Sequence, residues 1–206
     1  MLKINKGEPI PEFISWVKHK KRTDDWTKIP YSLRQLMTEY ILKREQNGLC
    51  GYTELPLKCS DRHIDHFRKQ DWFPNLKFQW SNYVVASTNE AFGAKYKDNK
   101  SNLTKKDYDV IYNPVEKGMN SEVYYDENGW MRPNRKNDNM VGRTIEIFNL
   151  NDVKLREIRA EIIRQVDSYF IDGDSDNDIK EFLQGLGFPS VVEWELNRLK
   201  KQNTVS

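Results

Sequence analysis

The chain has 206 residues, enough for one principal core with appendages. Its charged fraction is 31% and its hydrophobic fraction 37%, with six Trp, ten Tyr and nine Phe to supply buried area. Thirty-three Lys and Arg face 31 Asp and Glu, so the net charge of +2 excludes a uniformly basic nucleic-acid binder, and any such surface must come from local clustering.

No apolar segment follows the lysines of "MLKINKGEPIPEF", and no run of about 18 apolar residues occurs, so neither export nor membrane spanning is expected and the cytoplasm is the expected compartment. Cys50 and Cys59 are too few for a disulfide framework and read as inert thiols. Residues 11–20 predict a short helix opened by proline, and "KKRTDDWTKIP" a charged connection. A second helix is expected from Pro30 to the stop at Gly48, with Leu33, Leu36, Met37, Tyr40 and Ile41 as its core stripe.

From Leu49 onward the helical period gives way to aromatic and breaker residues. "SDRHIDHF" predicts a strand, "NLKFQWSNYVVA" a second, and "STNEAFGAKYKD" a helix opened by a capping box of Ser87 and Glu90. Further on, "VIYNPVEKGMNSEVYYDENGWMRPN" predicts two strands with turns at "NPVEKG" and "ENG". A helix capped by Asn151 or Asp152 carries Leu155, Ile158, Ile162, Val166 and Tyr169 on one face. Ser190 with Glu193 is expected to open another, with Val191, Trp194 and Leu199. "DGDSDNDIKE" has Asn177 and Leu183 where a calcium loop needs glycine and a carboxylate, so it reads as a solvated acidic turn.

Chemistry is expected at "DRHIDHF", which holds two of the three histidines. In a strand, His63 and Asp65 face one side and His66 the other, so one shared site needs a bend. Asp65 is a hard oxygen ligand for a divalent cation and His66 a base of suitable pKa, able to take a proton from water attacking a phosphodiester. Asn89 is the candidate second ligand, carried on the first turn of the expected helix. Asn82 is placed to bond the backbone of the loop carrying His66. The aromatic run Trp72, Phe73, Phe78, Trp80 and Tyr83 reads as core, not as a base-stacking platform. The basic segment 17–22 and lysines 97, 100, 105 and 106 read as solvated faces, while Lys95 follows the site.

This pattern resembles the HNH (ββα-metal) nuclease family. "HIDHF" looks like its first box, "FQWSN" like its central asparagine box and "TNEAFGAK" like its terminal box. The order of "INKGEPIPEF", the helix before Cys50, "YNPVEKG…VYYDENGWMRP" and "LNDVKLREIR" is similar to the HNH subunit, the PtuB type, of Septu and retron-associated anti-phage systems.

The resemblance implies an α+β fold with a ββα-metal core at 49–98, a helical segment at 1–48, and a β-hairpin with C-terminal helices at 99–206. It implies a metal-dependent endonuclease with His66 as base, Asp65 and Asn89 as ligands of Mg2+ or Mn2+, Asn82 as the orienting residue, and His63 as a further ligand or phosphate contact. Arg68 and Lys95 would contact DNA or RNA. The implied partner is an ABC/SMC-type ATPase, with or without a retron reverse transcriptase and its RNA–DNA. Relatives often bind a structural zinc through two Cys pairs. Here Thr53 stands opposite Cys50, and Val85 and Thr88 replace the second pair, so zinc is not expected. The alternative reading is a catalytically silent HNH-like subunit kept for binding or for docking on the ATPase.

Overall fold

A computed structural model of the chain describes residues 1–21, 23–136 and 138–204. The architecture is α+β, with helices around two small antiparallel sheets. No described helix is long and apolar enough to cross a membrane.

Helix α1 (Pro11–His19) opens on a proline, whose missing N–H would have had no partner there, and buries Phe13. Helix α2 (Tyr31–Tyr40) continues into a π-helical turn, Ile41–Glu45, and the chain turns out through Asn47 and Gly48, both with positive φ. Of the expected stripe, Met37 and Ile41 are buried and Leu33 and Tyr40 pack against them, but Leu36 is 44% exposed because it lies at the border of the buried face. The π turn points Glu45 and Gln46 inward. Glu45 accepts bonds from Lys6, the Gly7 N–H and Trp80, while Gln46 bonds both the N–H and the C=O of Val85, covering the outer edge of a strand.

Strands β1 (Arg62–His66) and β2 (Tyr83–Ser87) pair antiparallel, with Asp65 opposite Val84 and His66 opposite Tyr83. Alternation divides their side chains between two cores. Phe67, Val84 and Ala86 join the large core of the C-terminal helices, whereas Ile64, Tyr83 and Val85 join the smaller core of α1 and α2. Of the expected second strand only 83–86 is extended, and β2 runs one residue further, to Ser87. Residues 74–76 and 80–82 are 3-10 turns, started by Pro74 and held by the Asn82 side chain.

Helix α3 (Gly93–Asn99) starts later than expected. Ser87 is the last residue of β2, and its hydroxyl accepts from the Asn89 N–H, while Asn89 Oδ1 accepts from the Ala91 N–H. These local bonds replace the expected capping box and delay the helix until Gly93, whose φ is +69°.

Beyond α3, the hairpin of β3 (Val123–Tyr125) and β4 (Met131–Pro133) forms where expected, but residues 110–112 are not a strand. Helix α4 (Asn139–Phe148), capped by Asp138, has no counterpart in the sequence reading. Asp152 caps α5 (Val153–Asp172) as expected. The acidic stretch is a joint instead of a free turn: Gly173 closes α5 and Ser175 caps α6 (Asp176–Leu183). Helix α7 (Pro189–Asn203) begins at Pro189, and no Ser190–Glu193 box forms because Ser190 is buried and gives its N–H and hydroxyl to Glu54.

Candidate functional site at the end of β1

Strand β1, the loop 67–82, β2 and α3 follow one another in β-β-α order, and α3 packs on the face of the sheet that carries Asp65. The backbone at the end of β1 is held from two sides. Asn82 is 5% exposed, its Oδ1 accepts from the Arg68 N–H at 2.9 Å, and its Nδ2 donates to Arg68 O and Leu76 O at 3.0 and 3.3 Å. The side-chain amide therefore closes the base of the loop that follows His66.

The His66 ring lies on the opposite face of the strand from Asp65, edge-on to Trp26 and Tyr83 with centroids at 4.5 and 5.2 Å. Its Nε2 is 3.0 Å from Lys77 O. A carbonyl only accepts, so Nε2 carries the proton and the lone pair of the neutral ring falls on Nδ1. Burial holds the His66 pKa below its ordinary value, against the raising effects of Lys77 O and Asp65. Neutral, with a fixed tautomer, is the state a general base requires.

Asp65 is 4% exposed. Its Oδ2 accepts from Tyr52 Oη at 2.6 Å and lies 3.1 Å from Lys97 Nζ. Burial, followed by the Asp65 charge, drives the Tyr52 phenol well up, so it donates as a neutral hydroxyl. Lys97 is fully buried. Burial opposes its charge, but Asp65 and Asp98 outweigh this and raise its pKa.

Asn89 is held in its own turn: Ser87 pairs with Arg62, three residues and roughly 10 Å along the strand from Asp65, the Asn89 N–H bonds back to Ser87 Oγ, and Asn89 Oδ1 accepts from the Ala91 N–H. His63 shares the Asp65 face of the strand, and its Nδ1 is buried without a partner. Burial lowers the His63 pKa, with Asp65 opposing and Lys95 and Lys97 reinforcing the shift. Asp65 Oδ2 is engaged by Tyr52 and Lys97 and Asn89 Oδ1 by the Ala91 N–H, so as placed these groups do not form a divalent-cation site. Among the described residues no group of three His, Cys, Asp or Glu side chains could hold a metal ion.

The cations of this region stand on aromatic rings. The Arg68 guanidinium is 5.1 Å from the Phe73 centroid, Lys69 5.0 Å from Trp72 and Lys105 5.0 Å from Phe73. Lys20 of the basic segment covers Phe78 at 4.7 Å; Arg22 of that segment is outside the described residues. Trp80 and Tyr83 are buried as expected, while Trp72, Phe73 and Phe78 are half-buried and pack against the cores. Cys50 belongs to the large core and Val85 to the small one. A cavity of about 930 Å³, lined by Lys3, Lys43, Glu45, Lys180, Glu181 and Glu193 among others, has none of the expected site residues in its wall.

Sequence reasoning missed Tyr52, Lys97 and Trp26. Lys95 and Lys97 lie about 200° apart on a helix, so one must face inward when the other faces out, and this was the available signal for Lys97. Trp26 and Tyr52 reach the site through tertiary packing, which no local pattern announces. No protein-family model matches the chain, and no curated protein matches it significantly.

Proposed function

We propose that the chain is a phosphodiester hydrolase acting on nucleic acid, built on the HNH plan, with His66 as its general base. The observation that carries this reading is the fixation of His66. Its Nε2 is committed to Lys77 O, the following backbone is clamped by Asn82, and burial keeps the ring neutral. In the proposed reaction, His66 Nδ1 takes the proton of the attacking water. Arg68, Lys69 and Lys77, on the loop that follows, offset the phosphate charge. Asp65 anchors Tyr52 and Lys97 and has no part in the proton transfer.

The direct test is incubation of the purified protein with end-labelled DNA and RNA in magnesium, in manganese and in EDTA. New ends that require His66 support the reading; their absence in every condition, with an ATPase partner present, would count against it. Dependence on Mg2+ or Mn2+, which the HNH resemblance implies, is decided by the EDTA arm.

A second reading has an observation in its favour. The engagement of Asp65 Oδ2 by Tyr52 and Lys97 suits a nuclease-like fold retained for binding, which would retard nucleic acid in a gel and release no ends. For either reading we propose an ABC/SMC-type ATPase as partner, on the resemblance alone. Ile171 (80% exposed), in the last turn of α5, and Phe182 (57% exposed), in the last turn of α6, are apolar side chains available for such a contact. Loss of co-purification on their substitution by Ser is the expected result.

A further inference from the structure

The end of β1 contains a cation of its own. Lys97 Nζ lies 3.1 Å from Asp65 Oδ2, 3.2 Å from Asp98 Oδ1, and 3.2 Å from both His66 O and Phe67 O. An ammonium group has three hydrogens, and four oxygens surround this one, so no donor remains for a substrate. The side chain is inaccessible to water and rises from α3, so helix and strand end are joined through it.

Two of those oxygens are successive main-chain carbonyls at the point where β1 stops. The geometry of the cage, two carboxylates and two carbonyls around one positive atom, is the donor chemistry that a hard divalent ion would also seek. The ammonium already neutralises Asp65 and cross-links the two elements, and it costs no ion uptake from solution.

We infer that Lys97 is the resident counter-ion of Asp65 and excludes a divalent cation from the end of β1. The position where an HNH plan calls for a metal is filled by a covalently attached ammonium. A metal ion binds Asp65 only when Lys97 is removed. The inference does not rest on the nuclease reading, because it concerns occupancy of the cage and is decided without an activity assay.

The test is Mn2+ binding, followed by the loss of the free-ion electron paramagnetic resonance signal, for the wild type, Asp65→Asn, Lys97→Ala and the double variant, each checked for fold by circular dichroism. The wild type and Asp65→Asn are expected to take up Mn2+ identically, whereas Lys97→Ala is expected to gain one site that the double variant lacks. An Asp65-dependent site in the wild type, or no gain in folded Lys97→Ala, would overturn the inference. If Lys97→Ala does not fold, Lys97→Met, which keeps an apolar stem, ends one atom short of Nζ and leaves the cage without its ammonium, takes its place. The comparison of wild type with Asp65→Asn remains decisive in either case.

Discussion

Lys97 Nζ and Asp65 Oδ2 lie 3.1 Å apart with both side chains out of water, and this pair joins α3 to the strand that carries His66. Removing Lys97 leaves the Asp65 charge buried without its counter-ion. Lys97→Met should lower unfolding stability by about 3–5 kcal/mol, and the Asp65→Asn/Lys97→Met double variant by clearly less than the sum of its two single variants. Urea denaturation of the wild type, the two single variants and the double variant measures the difference; a double-variant loss equal to the sum of the two single losses would mean that the pair is not coupled.

Asn82 makes three bonds to the loop backbone from a buried position. Alanine there leaves a donor and two acceptors without partners, at a cost of about 2–3 kcal/mol. Hydrogen exchange should show the Arg68 amide losing protection while amides of α5 keep theirs. Unchanged exchange at Arg68 would remove the clamp from the account.

Both histidines at the site have pKa values held below 6.5 by burial, so they act on stability in one direction. Above 6.5 the rings are neutral in the folded and unfolded chain alike. As pH falls below 6.5 the unfolded chain takes up protons first, so stability declines until the folded values are passed. The urea midpoint should therefore be lower at acid pH than at neutral pH, and the difference should shrink in His63→Gln and in His66→Gln. Nitrogen-15 chemical shifts at neutral pH should report His66 protonated on Nε2.

Gly129 closes the hairpin turn with φ +72°, and a Cβ there would lie 2.1 Å from Arg156 O. Backbone cannot yield as a flexible side chain does. Gly129→Ala should cost about 2–5 kcal/mol, visible as a lowered Tm, with Arg159, which bonds Gly129 O, losing its anchor. Gly142, with open space around its position, is the control and should tolerate alanine.

What the sequence disclosed was local. The strand around His66, the hairpin with its "ENG" turn, the first two helices and the Asp152 cap all follow from periodicity and from residues that act on their own backbone. The expected capping boxes failed for a shared reason. Ser87 and Ser190 have the right spacing to Glu90 and Glu193, but tertiary partners or local turns claim their hydroxyls. Asn82 was legible because its function is local, a side chain bonding the adjoining loop. Lys97 and Tyr52 were not, because burying a lysine or a phenol against Asp65 depends on how α3 and residues 49–54 pack on the sheet. The expected Asn89 ligand was drawn from spacing, and spacing does not show that its amide oxygen is already occupied.

The most direct measurement is single-turnover cleavage of labelled nucleic acid by the wild type and by His66→Ala, at equal concentration and with matched circular dichroism spectra. The account predicts new ends from the wild type and a loss of at least about 100-fold in the variant, the scale of a missing general base. Equal cleavage by the two proteins would contradict it.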